Sequence, residues 1–292
     1  LSGFDAYSKY SFLGIYYSLI AGASIFVESN SSDCSILLNN GKTKLIQLWH
    51  AIPLKKIGLD DKIFIKQNRK TLNRIIKFFY NEKISMVIAN SKYDKKSFLS
   101  ANSNINKDDI IITGYPRNDI LKIDDDNRVN RKIIYLPTFR GEIGSEIDFF
   151  MPYNFNLSSW QKYLEENSTT LIIKMHPVNK PKNEIIKLFD RSNNIDLLIE
   201  ADIYELLPHI DLLITDYSSV YFDYLLTGKP IIFAPFDHNK YITQDRELYY
   251  DYNSVTPGPK CKNWDEILNW VEIFKKDPNN YRSERDKILK KF

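Results

Sequence analysis

The sequence predicts an α/β fold built as two parallel-sheet domains. Three observations carry this. Short runs rich in Ile, Leu and Val recur along the chain, each followed by a helical pattern. The runs are continuously apolar, as strands covered by helices on both faces require. A polar, charged and aperiodic stretch, LKIDDDNRVNRK at residues 121–132, interrupts the series. The chain has 292 residues, more than one ordinary core supports, so this stretch reads as a linker between domains at 1–125 and 126–292.

The elements follow in order. FLGIYYSLIAGASIFV splits at Gly22 into a helix-like and a strand-like part, too broken by Gly, Ser and Tyr to span a membrane. Strands are expected at 24–29, 44–49, 86–90 and 109–114, with helices at 66–79 and 92–101. The second half repeats the habit. Strands are expected at 132–138, 170–177, 196–201, 211–219 and 230–236, and helices at 158–166, 181–189, 203–207 and 219–227. In the last of these, Phe222, Leu225 and Leu226 are expected to face the sheet. Ser218 or Ser219 would cap it, and Gly228 with Pro230 would end it.

Composition excludes several classes. Hydrophobic content of 43% and charged content of 26% are those of a globular protein, and a net charge of +3 gives no reason to expect nucleic acid as a partner. Charge is uneven, however: residues 42–77 hold ten Lys or Arg against two Asp. Lys66, Arg69, Lys70, Arg74 and Lys77 form a basic stripe, read either as a solvated helix face or as a surface for anionic lipid or polymer. The two cysteines, Cys34 and Cys261, have no metal or redox spacing, so a reduced, cytoplasmic setting is the default. Asp124–Asp126 reads as a solvated loop rather than a metal site, and no metal or cofactor is expected. P-loop, GxGxxG, HExxH and GxSxG motifs are absent.

Doubly wound sheets place their chemistry at the carboxyl ends of strands. Those ends read Trp49-His50, Gly114-Tyr115-Pro116-Arg117, Thr138-Phe139-Arg140, Lys174-Met175-His176-Pro177 and Thr215-Asp216-Tyr217-Ser218-Ser219. Only four histidines occur, yet His50 and His176 both stand at such ends. Either alone reads as a structural histidine; together they favour function. The helix start at Ser218 and Ser219 suits a phosphate, and equally suits a plain cap.

Seven motifs then fall in order: QLWHAIPLKKIG, TGYPRNDIL, LPTFR, KMHP, LLITDYSSVYFDY, GKPIIFAPFD and RELYYDYNSVTPGP. Over residues 44–259 the chain resembles the CDP-glycerol glycerophosphotransferase family of teichoic acid and capsule polymer synthesis. The resemblance implies a GT-B fold, two Rossmann-like domains facing a central cleft, with the CDP-polyol on the C-terminal domain and the acceptor nearer the N-terminal one. It implies strand material before Leu1 and a further segment and helix beyond Phe292. His50 and Pro53 match the family's histidine-glycine-threonine-proline stretch, whereas Ala51 and Ile52 depart from it, a change that bears on the acceptor or polyol. His176 matches its lysine-x-histidine-proline motif, and Thr215, Asp216, Ser218 and Ser219 its nucleotide-side turn.

The expected reaction is attack of an acceptor hydroxyl on the phosphorus bearing the polyol, with CMP leaving. His50 is the expected base and His176 its catalytic companion. Arg140, Lys174, Arg117, Arg246 and the 218–219 helix start are the expected substrate-binding groups. Asp216 would orient a histidine or bind a sugar hydroxyl, and Asp223 would face solvent. The expected partners are a CDP-linked polyol, a lipid-linked polyol-phosphate or glycan acceptor, and the inner face of the membrane. A nucleotide-sugar glycosyltransferase of surface polysaccharide synthesis is the alternative in the same fold, and a non-catalytic polymer-binding module the alternative outside it.

Overall fold

The computed structural model describes residues 7–8, 11–26, 42–62, 65, 84–102, 105–121, 130–142, 144–198 and 202–292. Two compact units divide the chain: Leu1–Pro116 with Phe292, and Arg117–Lys291. The boundary expected at 125/126, Asp124–Asp126 and the stripe Lys66, Arg69, Lys70, Arg74 and Lys77 lie outside the described residues.

The first unit holds a parallel sheet of β1 (Ala23–Phe26), β2 (Lys44–Gln47), β3 (Met86–Ala89) and β4 (Ile110–Ile112), paired in chain order. Helix α1 (Phe12–Ile20) begins at Ser11, whose hydroxyl accepts from Gly14 N. Helix α2 (Lys92–Ala101) begins at Ser91, which accepts from Tyr93 N and Asp94 N, while the buried Asp94 carboxylate accepts from Asn90 N. These bonds satisfy backbone donors that a helix start leaves unpaired. Leu45, Val87, Ala89, Phe98 and Ile110 form the core.

The second unit is built on β5 (Arg131–Leu136), β7 (Thr169–Ile173), β9 (Ile195–Leu197), β10 (Leu212–Thr215) and β11 (Ile231–Phe233), all parallel. A separate two-stranded pair joins β6 (Glu146–Ile147) to β8 (Lys180–Pro181). The large sheet has the order β11-β10-β5-β7-β9. Numbered within the unit, that is the 3-2-1-4-5 order of a Rossmann sheet, whose direction of winding reverses between β5 and β10. Ligands of such sheets bind past the carboxyl ends of the strands at that reversal.

Besides a single α-helical turn at His238–Lys240, the described helices of this unit are α3 (Leu157–Glu166), α4 (Asn183–Phe189), α5 (Ile203–Leu206), α6 (Val220–Tyr224), α7 (Tyr252–Val255), α8 (Trp264–Lys276) and α9 (Arg282–Lys291). Helix α3 buries Trp160, Tyr163 and Leu164, three and four residues apart. Helix α8 buries Trp264, Ile267, Val271 and Phe274, starts at a capping Asn263, carries Asp265 and Glu266 in its first turn and Lys275 and Lys276 in its last. Trp160, Trp264, Phe150, Phe155 and Phe189 interlock edge-to-face and stacked on one face of the sheet. The indole N–H of Trp264 donates to Phe149 O at 2.7 Å, so this buried ring leaves no polar atom unpaired.

Each strand stops short of the apolar run that announces it. The run at 44–49 is paired only to Gln47, that at 170–177 only to Ile173, and that at 211–219 only to Thr215. The residues beyond turn out of the sheet, and these are the polar ones. Leu226 is a correction: α6 closes in a 3-10 turn, Leu225–Thr227, which leaves Phe222 and Leu225 buried and turns Leu226 outward, 46% exposed. Gly228 ends the turn in the left-handed region at φ 67°.

Residues 258–261 run beside β11. Phe233 N donates to Pro259 O and Cys261 N to Phe233 O. A Cβ on Gly258 would stand 2.2 Å from Ile231 O, and backbone on backbone has nowhere to yield. Gly258→Ala is therefore expected to destabilise the protein by at least the ~1–3 kcal/mol of an overpacked core. Gly22→Ala, with nothing within 4 Å, is the control. Denaturant melts of the two variants check this; equal midpoints would refute it.

Candidate functional site

At the winding reversal of the second sheet stands Arg140, just past β5 and buried. Its five N–H groups meet five acceptors. Nε and one Nη2 hydrogen bind Asp237 in bidentate fashion at 2.7 and 2.8 Å, and Nη2 also binds Asp216 at 2.8 Å. Nη1 donates to the carbonyls of Thr138 at 2.8 Å and Phe139 at 3.2 Å. The guanidinium plane lies 4.4 Å from the Tyr241 ring and 5.2 Å from that of Tyr217. Asp216, buried at the end of β10, also accepts from Thr138 N and Tyr217 N, and the Tyr252 hydroxyl donates to its carbonyl.

This corrects two sequence expectations. Arg140 was expected to bind pyrophosphate, but a guanidinium has five donors and all five are used within the protein. Asp216 was expected to orient a histidine or bind a sugar, but its oxygens serve Arg140 and two backbone N–H groups. Both are scaffold. Burial works against ionisation of Asp237, yet the hydrogen bonds and charge of Arg140 outweigh it and hold its carboxyl below the usual carboxylate range. Burial likewise works against Arg140, and Asp216 and Asp237 overcome it, so the guanidinium stays charged.

Asp223 is a third correction. Expected in solvent, it is 1% exposed and accepts from Arg117 Nη2 at 3.0 Å, Asn118 Nδ2 at 2.9 Å and the Tyr204 hydroxyl at 2.7 Å. The α6 position faces inward because the segment Pro116–Leu121 lies against it. Arg117, expected on substrate, pairs with this carboxylate.

The remaining strand-end groups are more accessible. His176 is exposed, packs on Phe139 and accepts from Val178 N at Nδ1, which in the neutral ring leaves the proton on Nε2. Lys174 is half-buried, and its backbone N–H donates to Tyr135 O. Thr215 is buried, its hydroxyl donating to Leu136 O across the β5–β10 step. Ser218 and Ser219 are half-buried. Ser219 occupies the cap position of α6 but makes no side-chain capping bond, so the expected cap is not formed and the hydroxyls are left for other partners. Arg246 follows a π-helical turn, Tyr241–Asp245, closed by its own N–H donating to Tyr241 O.

In the first unit His50 is exposed and stacks on Trp49, ring centroids 4.9 Å apart. Trp49 has φ 58°, a left-handed conformation unusual for a bulky residue, and meets Phe98 edge-to-face at 5.1 Å. The chain thus bends sharply at Trp49. Ile52 is buried, so the departure from the family pattern at that position fills the core. The Tyr115 hydroxyl reaches Ala51 O at 3.2 Å and tethers this loop to the end of β4.

Sequence reasoning passed over Asp237, His238 and Tyr241. The signal was present: PIIFAPFDHNKY is another strand end, and the rule applied to the other strands selects it. Among the described residues no cluster could hold a metal ion, and no helix is long and apolar enough to cross a membrane. Burial pushes the Cys261 thiol up to about 12, which leaves it unreactive.

Two parallel-sheet units, one in Rossmann order with polar side chains gathered past its strand ends, define a Rossmann-like α/β enzyme. Residues 7–292 match the family model described as CDP-glycerol:poly(glycerophosphate) glycerophosphotransferase, and the chain belongs to that family. It is an enzyme of the polyol-phosphate transferase type. It is 28% identical over 274 residues to a teichoic acid glycerol-phosphate transferase of Staphylococcus aureus, covering 88% of this chain and 68% of the relative. It is 26% identical over 244 residues to the teichoic acid ribitol-phosphate polymerase TarK of the same organism, covering 78% of this chain and 46% of that one. It shares its fold with the wall teichoic acid polymerase TagF, at a TM-score of 0.70 and 24% identity, over 88% of this chain and 66% of that one.

Arg140→Met leaves the buried Asp216 and the half-buried Asp237 without their cation. Breaking a buried pair in this way costs about 3–5 kcal/mol, to be read from denaturant melts. Because the Asp237 carboxyl is held low, its stabilisation is full above the ordinary carboxylate range and is lost as pH falls through that range and beyond. Asp237→Asn is expected to flatten the fall of melting temperature in acid; an unaltered slope would show that this carboxylate is not coupled to Arg140.

Proposed function

We propose that this chain moves a polyol phosphate from a CDP-linked donor to a hydroxyl of a teichoic acid or capsule-type acceptor. The acceptor oxygen attacks the phosphorus that carries the polyol. The bond to the bridging oxygen breaks, CMP leaves with that electron pair, and the hydroxyl proton passes to a base. Transfer of this kind needs in-line positioning and donors for phosphate oxygens more than covalent help from the protein.

The observation that supports this reading is the arrangement past β7 and β10. The exposed imidazole of His176, with its proton on the outer nitrogen, the half-buried Lys174 and the unbonded hydroxyls of Ser218 and Ser219 all follow the carboxyl ends of one sheet. Among the described residues the Ser218 and Ser219 hydroxyls make no internal hydrogen bond, whereas Arg140 and Asp216 are fully engaged. His176 and the Ser218–Ser219 pair therefore hold the pyrophosphate, with Arg246 beside them, and His50 takes the acceptor proton. Relatives that use glycerol phosphate and ribitol phosphate both match the chain, so the polyol is left as a class. A lipid-linked acceptor at the inner membrane face completes the reading. Liposome sedimentation, lost on charge reversal at Lys66, Arg69 and Lys70, is the expected result for that part; wild-type protein that never sediments with anionic vesicles contradicts it.

Incubation with CDP-glycerol or CDP-ribitol and an oligomeric acceptor should release CMP, and mass spectra should show the acceptor longer by one polyol phosphate. Release of a nucleoside diphosphate instead points to glycosyl transfer and overturns the reading. His50→Ala is expected to lower turnover by roughly 10²–10⁴ with little change in CDP-polyol affinity. Ser218→Ala with Ser219→Ala removes two hydrogen bonds to a charged group, each worth about 1.5–3 kcal/mol, and should weaken CDP-polyol binding at least tenfold in calorimetry. If His50→Ala turns over normally per folded molecule, the imidazole only packs on Trp49.

A further inference from the structure

We propose that His238 is a donor-side ligand: its Nε2–H binds a phosphate oxygen of the CDP-polyol, held in place by Tyr217 as a positioning residue. This rests on the transfer reading above and adds a residue to it.

The argument starts from Tyr217. It directly precedes Ser218, so whatever anchors it anchors the hydroxyl pair. Its ring lies flat on Tyr241, centroids 3.9 Å apart and planes 3° from parallel, and beside the Arg140 guanidinium. Its N–H donates to Asp216. The side chain therefore has one orientation. Its hydroxyl ends 3.3 Å from His238 Nδ1.

That contact turns Nδ1 of the ring toward the phenol. Burial, reinforced by Asp216 and Asp237, keeps the Tyr217 phenol protonated far above neutral pH. In the tautomer this proposal uses, the phenol O–H donates and Nδ1 accepts. A neutral imidazole that accepts at Nδ1 carries its proton on Nε2. Among the described residues Nε2 has no hydrogen-bond partner, and the residue is half-buried. The ring packs between Tyr217 and Tyr252, with centroid separations of 6.1 and 5.1 Å, and Tyr252 is itself bonded to Asp216 O.

The place matters as much as the tautomer. His238 follows β11, whose neighbour in the sheet is β10, the strand that delivers Ser218 and Ser219. It stands at the same carboxyl edge as those hydroxyls and is tied to the residue before them. His176, after β7, likewise accepts at Nδ1, from Val178 N. A pre-oriented N–H, after the strand beside the one that delivers Ser218 and Ser219 and backed by aromatic rings, suits an anionic oxygen that must be held without a buried counter-charge.

The test uses the whole chain with CDP-glycerol as probe, in calorimetry and steady-state kinetics. His238→Ala should weaken CDP-glycerol binding about tenfold and raise KM by a similar factor, with kcat changed less, because the contact exists before and during transfer. His238→Gln, whose amide N–H can replace Nε2–H, should recover most of the affinity. Tyr217→Phe should weaken binding by a smaller factor, since the imidazole is present but no longer oriented. Melting temperature reports the fold of each variant. Three outcomes overturn the assignment. If Ser218→Ala with Ser219→Ala loses CDP-glycerol while His238→Ala binds it like wild type, His238 is not a ligand and the transfer reading stands. If His238→Gln is as weak as His238→Ala in a fully folded protein, the ring packs and does not donate. If wild-type protein binds neither CDP-glycerol nor CDP, the transfer reading fails and this assignment with it.

Discussion

The second unit is organised by one buried cation. Arg140 joins three consecutive strands of the sheet, since it follows β5, binds Asp216 after β10 and binds Asp237 after β11. Parallel strands offer no tight turn to fix how their ends emerge, so loops past the carboxyl edge need some other constraint. A planar group with five donors supplies it in one residue, and a lysine could not, having a single rotatable point charge. Replacing the trio by apolar side chains of equal volume would cost the protein little in stability. What it would lose is the geometry of the loops.

That arrangement separates support from chemistry. Two carboxylates surround one guanidinium, so the buried node carries no surplus of positive charge with which to attract a phosphate. On the function proposed above, attraction would fall to the groups around it: the hydroxyls, the imidazole N–H groups and the half-buried Lys174.

Much of this was legible in the sequence, and the reasons differ by element. The strands were legible because parallel strands covered on both faces are apolar without interruption, and helix α2 because Ser91 and its periodic residues mark it out. Strand ends overran because Pro, His and Asp past Ile173 or Thr215 follow apolar residues that look like more strand. Arg140 and Asp216 stand out in the sequence as strand-end charges, but the bond between them does not, because a sequence shows a charge and not its partner 76 positions away. Asp223 went to solvent in the reading for the same reason: Arg117 and Asn118 are more than a hundred residues distant. Leu226 misled because a 3-10 turn breaks the helical period that assigned it inward. His238 was missed though its neighbours obey the rule that found the others.

The π-helical turn at Tyr241–Asp245 sets a limit on how this chain can drift in length. Surface loops usually absorb the gain or loss of a residue at small cost. This one cannot. Each residue added to or removed from a helical turn rotates what lies on one side of it by about 100° relative to the other. On one side Tyr241 lies against Tyr217 and Arg140; on the other Arg246 leads into the loop that ends at Tyr252, which reaches back to Asp216. The wide turn accommodates one residue more than an α-turn would while keeping both faces in register. Variation among descendants of this sequence is therefore expected as substitution within these five positions, and as insertion only outside them.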